Sequence, residues 1–390
     1  MHTIMLNFLK QTRNFVNSTD AICIVLGNES CDLDSAVCAI TLAYHYQQHN
    51  RQYDNSNNGS KTNFLPVMNI ARRDYPLKTE VLHLFSQQTI SEEHLTFRDE
   101  LQQDFLARSQ FILVDHHVSP FAARCLEVFD HRAFDGKSNL SSDCKIHLEL
   151  VGSCATLIAE LLLSTYLAAD PAELVQIKSQ LAMLRSTIVL DTVNFSEAAN
   201  RATPKDIEIC TKLEELLGEL PNGEPLTERT ELFDVLIKAR ADVSSLTALQ
   251  LLHKDLKILT NSDANLNIAI PGFPLLVQQF IEKPNAASAV KEFAKDTNSS
   301  IVLLMGMLVT NGSVQRDLGL INMGSSELCA AINKKLLETS EPALCLQRYE
   351  ECNFLNGVFY KMLNIKATRK HVLPLIKQLL DQWQQQCKEK

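Results

Sequence analysis

Phe111-Ile112-Leu113-Val114-Asp115-His116-His117 is the stretch on which the fold turns. Four apolar residues run straight into an acid and two imidazoles. An apolar run this short, with β-branched members, predicts a buried strand. In open α/β sheets ligands bind at the carboxyl ends of the strands, so Asp115, His116 and His117 stand where a metal or phosphate site would form. Alone, the stretch reads equally well as a surface turn that happens to carry two histidines. The rest of the chain decides.

Three further apolar runs lead into acids. Ala21–Leu26 (AICIVL) predicts a buried strand leading into Gly27-Asn28-Glu29-Ser30-Cys31-Asp32-Leu33-Asp34-Ser35, and a helical pattern begins near Ala36. Gly27 gives the backbone room to turn. Asp34 and Ser35 are good caps for the helix, but capping needs only one of them and leaves Asn28 and Asp32 unexplained. Two carboxylates at i and i+2, with an amide four residues earlier, can converge on hard cations from one strand–helix turn. Downstream, Leu126-Glu127-Val128-Phe129 ends in Asp130-His131-Arg132. His131 is the better ligand candidate there, and Arg132 the better phosphate contact through its planar fork of donors. Ile188-Val189-Leu190 ends in Asp191, which by itself reads as a helix-end or turn residue. Beside the other three acid-terminated runs it becomes a fourth carboxylate.

Composition sets the class. A chain of 390 residues exceeds one ordinary core and predicts two or three domains. With 45% hydrophobic and 21% charged residues it has the make-up of a globular protein. A net charge of −9 argues against a broad basic face for nucleic acid. No stretch approaches the ~20 apolar residues of a membrane span. Eleven scattered cysteines with no CxxC pair predict free thiols in a reducing compartment, the cytoplasm, most of them acting as small buried apolar residues. The first nineteen residues contain no acid and carry one apolar helical face. They read either as a mitochondrial presequence or as a first helix packing on the sheet.

Along the chain, Gln48–Asn63 reads as a mobile polar insertion and Phe64–Ile70 as a strand. Arg72-Arg73 reads as a solvated turn or as an anion contact. Gly136–Lys145 is polar loop, and Glu149–Thr156 opens a long helical region. A shift to Pro, Gly, Glu and Thr (LPNGEPLTERTE) places a linker at 201–230, dividing a domain at 1–200 from one at 231–390. The latter is predicted to hold helices at Phe233–Arg240 and Leu246–Lys254, strands at Leu266–Ile270 and Ile301–Met307, and a terminal helix from Val372 to Lys388. The basic cluster Thr368-Arg369-Lys370-His371 precedes that helix and either caps the fold or binds phosphate.

Asn28, Asp32, Asp34, Asp115, His131 and Asp191 supply hard oxygen ligands and one imidazole, a set suited to Mn²⁺ or Mg²⁺ rather than structural zinc. Four carboxylates cannot share a buried pocket as bare anions, and two divalent cations would neutralise them. Two such ions activate water and stabilise a phosphoryl group under attack. Lys257, Arg369 and Arg132 could hold the outer phosphate oxygens. The reaction class predicted is hydrolysis of a phosphoester or phosphoanhydride.

Together GNESCDLDS, LVDHH, FDHR, LVGSCATL, VLDTVN and ATPKD (Ala202–Asp206) resemble the DHH phosphoesterase superfamily, in its prune and exopolyphosphatase branch. The KDLK and TRKH segments resemble the substrate-binding stretches of a DHHA2-type second domain. The resemblance implies an α/β protein: an N-terminal DHH domain with a mostly parallel sheet and helices on both faces, a smaller C-terminal α/β DHHA2 domain, and an active site in the cleft between them. Position by position it implies one metal at Asn28, Asp32 and Asp115, and another at Asp34, Asp115, His131 and Asp191, with Asp115 bridging. Lys257, Arg369 and Lys370 match phosphate contacts, while His116 and His117 match residues behind the ligands. Asn28 stands where the pyrophosphatases carry His, and Arg132 where many relatives carry a second His. Both departures point away from pyrophosphatase activity. Short-chain polyphosphate and cyclic nucleotides are the substrates implied. The alternative is an interaction protein that keeps the fold and binds a partner such as nucleoside diphosphate kinase.

Overall fold

The computed structural model describes residues 3–18, 20–49, 61–134, 136, 138–166, 170–220, 225–261, 266–310 and 312–388. Most of the polar insertion at Gln48–Asn63 lies outside them. The chain divides into two compact units, Met1–Asp242 and Val243–Lys390.

In the first unit, β1 (Ile22–Leu26), β2 (Asn63–Met68), β3 (Thr96–Phe97), β4 (Gln110–Val114), β5 (Cys125–Asp130) and β6 (Lys145–Leu148) form one sheet. Their order is β3-β2-β1-β4-β5-β6, and every pairing is parallel. Successive side chains of a strand point to opposite faces, and both faces are covered. Val25, Ile112 and Val114 join a large core with α1 (Thr3–Phe15) and α2 (Leu33–His49). Ile24, Phe111 and Leu113 pack instead with Phe105 and Leu106, after α3 (Thr79–Gln87) and within α4 (Gln103–Arg108). Two-sided burial explains why β1 and β4 are continuous apolar runs rather than alternating ones. Strand order reverses between β1 and β4, and the carboxyl ends at such a switch point frame a crevice. Asn28 to Asp34 leave β1 there, and Asp115 leaves β4.

The large core is completed by α5 (Cys154–Tyr166), α6 (Pro171–Asp191), α7 (Pro204–Glu219) and α8 (Arg229–Ala241). Here the structure departs from the linker expected at 201–230. Ile209, Leu213 and Leu217 of α7 are buried with the first unit's core, and so is Leu236 of α8. Charge ties the same helices together: Glu214 of α7 accepts from Arg185 Nε of α6 at 2.8 Å and from Arg229 Nη2 of α8 at 2.5 Å. The Pro- and Gly-containing segment is only the connection between two packed helices, so the unit boundary falls after Asp242 rather than within 201–230.

The second unit holds α9 (Ala248–Lys254), β7 (Asp255–Asn261), β8 (Leu266–Phe273), α10 (Val277–Ile281), α11 (Ala286–Asp296), β9 (Ser299–Thr310), β10 (Ser313–Asn322), α12 (Ser326–Glu338), β11 (Leu346–Arg348), β12 (Val358–Met362) and α13 (Arg369–Lys388). Its sheet runs β11-β12-β10-β9-β8-β7, antiparallel except for β8 with β9. Leu328, Ile332, Val372 and Ile376 of α12 and α13 cover one face. Asp317 is fully buried on β10, where its carboxylate accepts from the amides of Val277 at 2.7 Å and Gln278 at 3.2 Å. Burial lifts its pKa to about 6. Gly306 must stay side-chain-free, because a Cβ would stand 2.2 Å from Asp317 Oδ1. Among the described residues no helix is long and apolar enough to cross a membrane.

Candidate metal centre

The β1–α2 turn is built on two close approaches. A Cβ on Gly27 would sit 2.7 Å from Ser35 Cβ and 2.9 Å from its carbonyl oxygen, so only glycine lets the strand end against the first turn of α2. Asp32 accepts from the Ser35 amide at 3.2 Å and so acts as the helix cap. That leaves the side chains of Asp34 and Ser35 free for other work.

Asp34 is buried and is gripped by the start of α5. Its Oδ2 accepts from the Cys154 amide at 2.7 Å and its Oδ1 from the Ala155 amide at 2.8 Å. Unpaired amides and the helix dipole favour an anion at such an N-terminus. Asp115 adopts a left-handed backbone (φ 61°), a region Asp tolerates better than most residues, and its amide donates to Phe129 O at 2.8 Å. The turn presents both carboxylate oxygens. Oδ2 accepts from Asn28 Nδ2 and Ser35 Oγ, both at 2.7 Å. Oδ1 accepts from Arg132 Nη2 at 3.1 Å and lies 3.3 Å from His131 Nε2.

His131 donates Nδ1–H to the Val151 carbonyl at 3.0 Å, which turns Nε2 toward Asp115 and, at 3.9 Å, Asp34. A metal-ligating histidine is commonly fixed by this second hydrogen bond. Asp34, Asp115 and His131 offer ligand atoms that all lie within 4.8 Å of one another. Asp191, the last residue of α6, and Asp32 fall outside that group of three but share its field.

Electrostatics record the crowding. Burial, then the charges of Asp34 and Asp32 and the Asp34 contact, push Asp191 well above the usual carboxylate range. Burial, with Asp34 and Asp32 adding to it against the His131 hydrogen bond, brings Asp115 to about 6. Asp34 is raised by burial and by Asp32, against the pull of His131. Burial alone would lower His131, yet its Asp115 hydrogen bond and the Asp34 charge outweigh that and raise it to about 9. These are the marks of an anionic pocket short of positive charge. Hard oxygens and one oriented imidazole suit a divalent cation.

Sequence reasoning and geometry differ at several residues. Asn28 turns its NH₂ to Asp115, and its Oδ1 accepts from the Ser30 amide and hydroxyl at 2.8 and 2.6 Å. An NH₂ group donates and cannot ligate a cation, so Asn28 serves here as a hydrogen-bond donor to Asp115. His116 Nδ1 pairs with Val114 O at 3.0 Å and His117 Nδ1 with Asp130 Oδ2 at 2.5 Å, both outside the group of three. Asp130 also accepts from the amides of His131 and Arg132, shaping that turn. Lys257 is exposed on β7, Lys370 is exposed on α13, and Arg369 is held by Asp255 Oδ2 at 2.5 Å; all three belong to the second unit. Ser35, the Val151 carbonyl and the amides of Cys154 and Ala155 were not anticipated. Their sequence signal is slight, a small polar stretch ahead of a helix. A cavity of about 400 Å³ adjoins the group, lined by Asn28, Asn69, Arg98, His116, Phe121 and Arg132 among others.

The DHHA2 domain family matches residues 234–379. Exopolyphosphatase PRUNE1 of Rattus norvegicus is 32% identical over 387 residues, covering 96% of this chain and 79% of the rat protein. The chain belongs to the prune exopolyphosphatase family. The Homo sapiens family member is 31% identical over 385 residues, with the same coverage of both chains. Protein prune homolog 2 of Mus musculus is 26% identical over 362 residues, 92% of this chain but 11% of that much longer one. The DHHA2 match begins inside α8 and spans most of the second unit, whereas the acid and histidine cluster lies wholly in the first.

Proposed function

We propose that this chain is a divalent-cation-dependent phosphohydrolase that removes phosphate from short polyphosphates. The observation that carries the reading is the group Asp34, Asp115 and His131, crowded by Asp32 and Asp191 and with His131 Nε2 turned inward. Asp34, Asp115, His131 and Asp191 would hold one cation, Mn²⁺ or Mg²⁺. Asp32 and Asp115 would hold a second, joined by Asn28 once its amide turns its oxygen inward. Bound divalent cations supply a hydroxide at neutral pH and neutralise charge on the phosphoryl oxygens.

The chain's own groups prepare that chemistry. The Val151 carbonyl keeps the Nδ1 proton of His131 in place, so the proton displaced on ligation leaves from Nε2. Ser35 and Asn28 orient Oδ2 of Asp115, while Oδ1 faces His131 Nε2 and Arg132 Nη2. Arg132 is half-exposed and bonded to Asp115, so its free guanidinium nitrogens are available to a phosphate oxygen. Lys257, Arg369 and Lys370 add phosphate-binding cations in the second unit. The names of the PRUNE1 relatives support the polyphosphate assignment.

Orthophosphate release from tripolyphosphate and tetrapolyphosphate, and turnover of cyclic AMP, would be followed with Mn²⁺ or Mg²⁺. Wild type should cleave the short polyphosphates, and Asp115→Ala should not. Equal rates for the two proteins on every substrate would sink the hydrolase reading and leave the partner-binding one.

A further inference from the structure

Within the ATPKD stretch, Asp206 is fully buried. Its Oδ2 accepts from the Thr203 amide and hydroxyl, both at 2.7 Å, which is an ordinary reciprocal cap on α7. That cap leaves two bonds unaccounted for. Oδ2 also takes the Gly152 amide at 2.8 Å and Oδ1 the Thr156 hydroxyl at 2.6 Å, from residues more than forty positions earlier. Gly152 follows Val151, whose carbonyl orients His131, and precedes Cys154 and Ala155, whose amides grip Asp34. One carboxylate therefore ties down the segment that sets two of the three clustered ligand side chains.

The loop has no slack on its other sides. A Cβ on Gly152 would lie 2.7 Å from the Thr192 methyl, 2.8 Å from Arg201 O and 3.0 Å from Asp206 Oδ2. Thr192 directly follows Asp191, so the same packing reaches the fourth carboxylate.

We propose that Asp206 is a positioning residue: by holding the 151–155 segment, it fixes His131 and Asp34 for cation binding without touching the ion. The inference rests on the metal-hydrolase reading above. Residues that orient metal ligands in this way commonly contribute about 10–100-fold in affinity.

The test is Mn²⁺ titration of the full, metal-stripped chain by calorimetry, with thermal unfolding measured in parallel. Asp206→Ala should weaken Mn²⁺ binding about 10-fold or more. Asp206→Asn should restore it to within about threefold, because the amide oxygen still accepts from Gly152 while Thr156 can rotate to accept from the new NH₂. Gly152→Ala, which strains the segment from its other side, should weaken binding like Asp206→Ala and carries the test if that variant folds poorly. Leu213→Ala, in the buried face of α7, should lower the melting temperature and leave Mn²⁺ affinity unchanged. Wild-type affinity in both Asp206→Ala and Gly152→Ala overturns the proposal, as does an equal loss in Leu213→Ala. A wild type that binds no Mn²⁺ instead refutes the metal-hydrolase reading on which it rests.

Discussion

Replacing Asp115 by Asn should make the metal-free protein more stable while removing its response to metal. Asn tolerates the left-handed backbone at this position, so the substitution changes charge and little else. Burial and the neighbouring acids lift the Asp115 carboxyl from 3.8 to about 6, so its charged form costs the fold about 3 kcal/mol. Against this, one oxygen becomes an NH₂ facing donors on either side, and losing such a bond costs about 0.5–1.5 kcal/mol. The balance favours Asp115→Asn by about 1.5–2.5 kcal/mol at pH 7.5 in chelator, or roughly 3–10 °C in the first unit's melting temperature. Because the folded-state pKa is raised, the penalty is complete above pH 6 and fades as pH falls toward 3.8. The two proteins should therefore converge in acid. Added Mn²⁺ should raise the wild-type melting temperature by mass action and leave the variant where it was. A variant less stable than wild type in chelator would show that the carboxylate is a structural acceptor, and equal stabilisation by Mn²⁺ would show that it is not a ligand.

Arg132→Ala removes a half-exposed guanidinium beside the acids. It should lower kcat/KM on tripolyphosphate by about 10–100-fold, as expected for a charged hydrogen bond of about 1.5–3 kcal/mol, while bound Mn²⁺ stays constant; loss of metal would assign the residue to the ligand set instead. Glu214→Ala strands Arg185, whose side chain is 5% exposed, and should cost the first unit about 2–4 kcal/mol in urea unfolding with Mn²⁺ affinity intact. Asp317→Asn relieves a buried acid held at about 6. It should stabilise the second unit by about 1.5–2.5 kcal/mol at pH 8, relief of the buried charge less the one amide bond that an NH₂ cannot accept, with the gain vanishing by pH 4, as read from chemical unfolding across that range.

The central strands of the first sheet were legible because each apolar run stops at a glycine or a polar residue, as Leu26 gives way to Gly27, Val114 to Asp115 and Phe129 to Asp130. A parallel sheet buried on both faces writes itself as short apolar blocks. Less could be read where distant partners decide the outcome. The turn-forming residues between α7 and α8 resemble a linker, and it takes the burial of Leu213 and Leu236 and the meeting of Glu214 with Arg185 and Arg229 to show that both helices belong to the first unit. Asn28 reads as an oxygen donor, yet Ser30 takes its oxygen and Asp115 its NH₂. Asp206 sits in an evident cap motif, and nothing local announces its bond to Gly152. Composition and spacing report what a segment can form, whereas a side chain's orientation can depend on neighbours tens of residues away.

The close approach at Gly27 separates two kinds of freedom in the β1–α2 turn. Position 27 is shut to every side chain by Ser35, whereas position 28 looks into a cavity of about 400 Å³. The frame is thus fixed by shape while the ligand chemistry next to it can be rewritten. A library randomised at residue 28 with Gly27 held constant would sample donor sets on one unmoving scaffold.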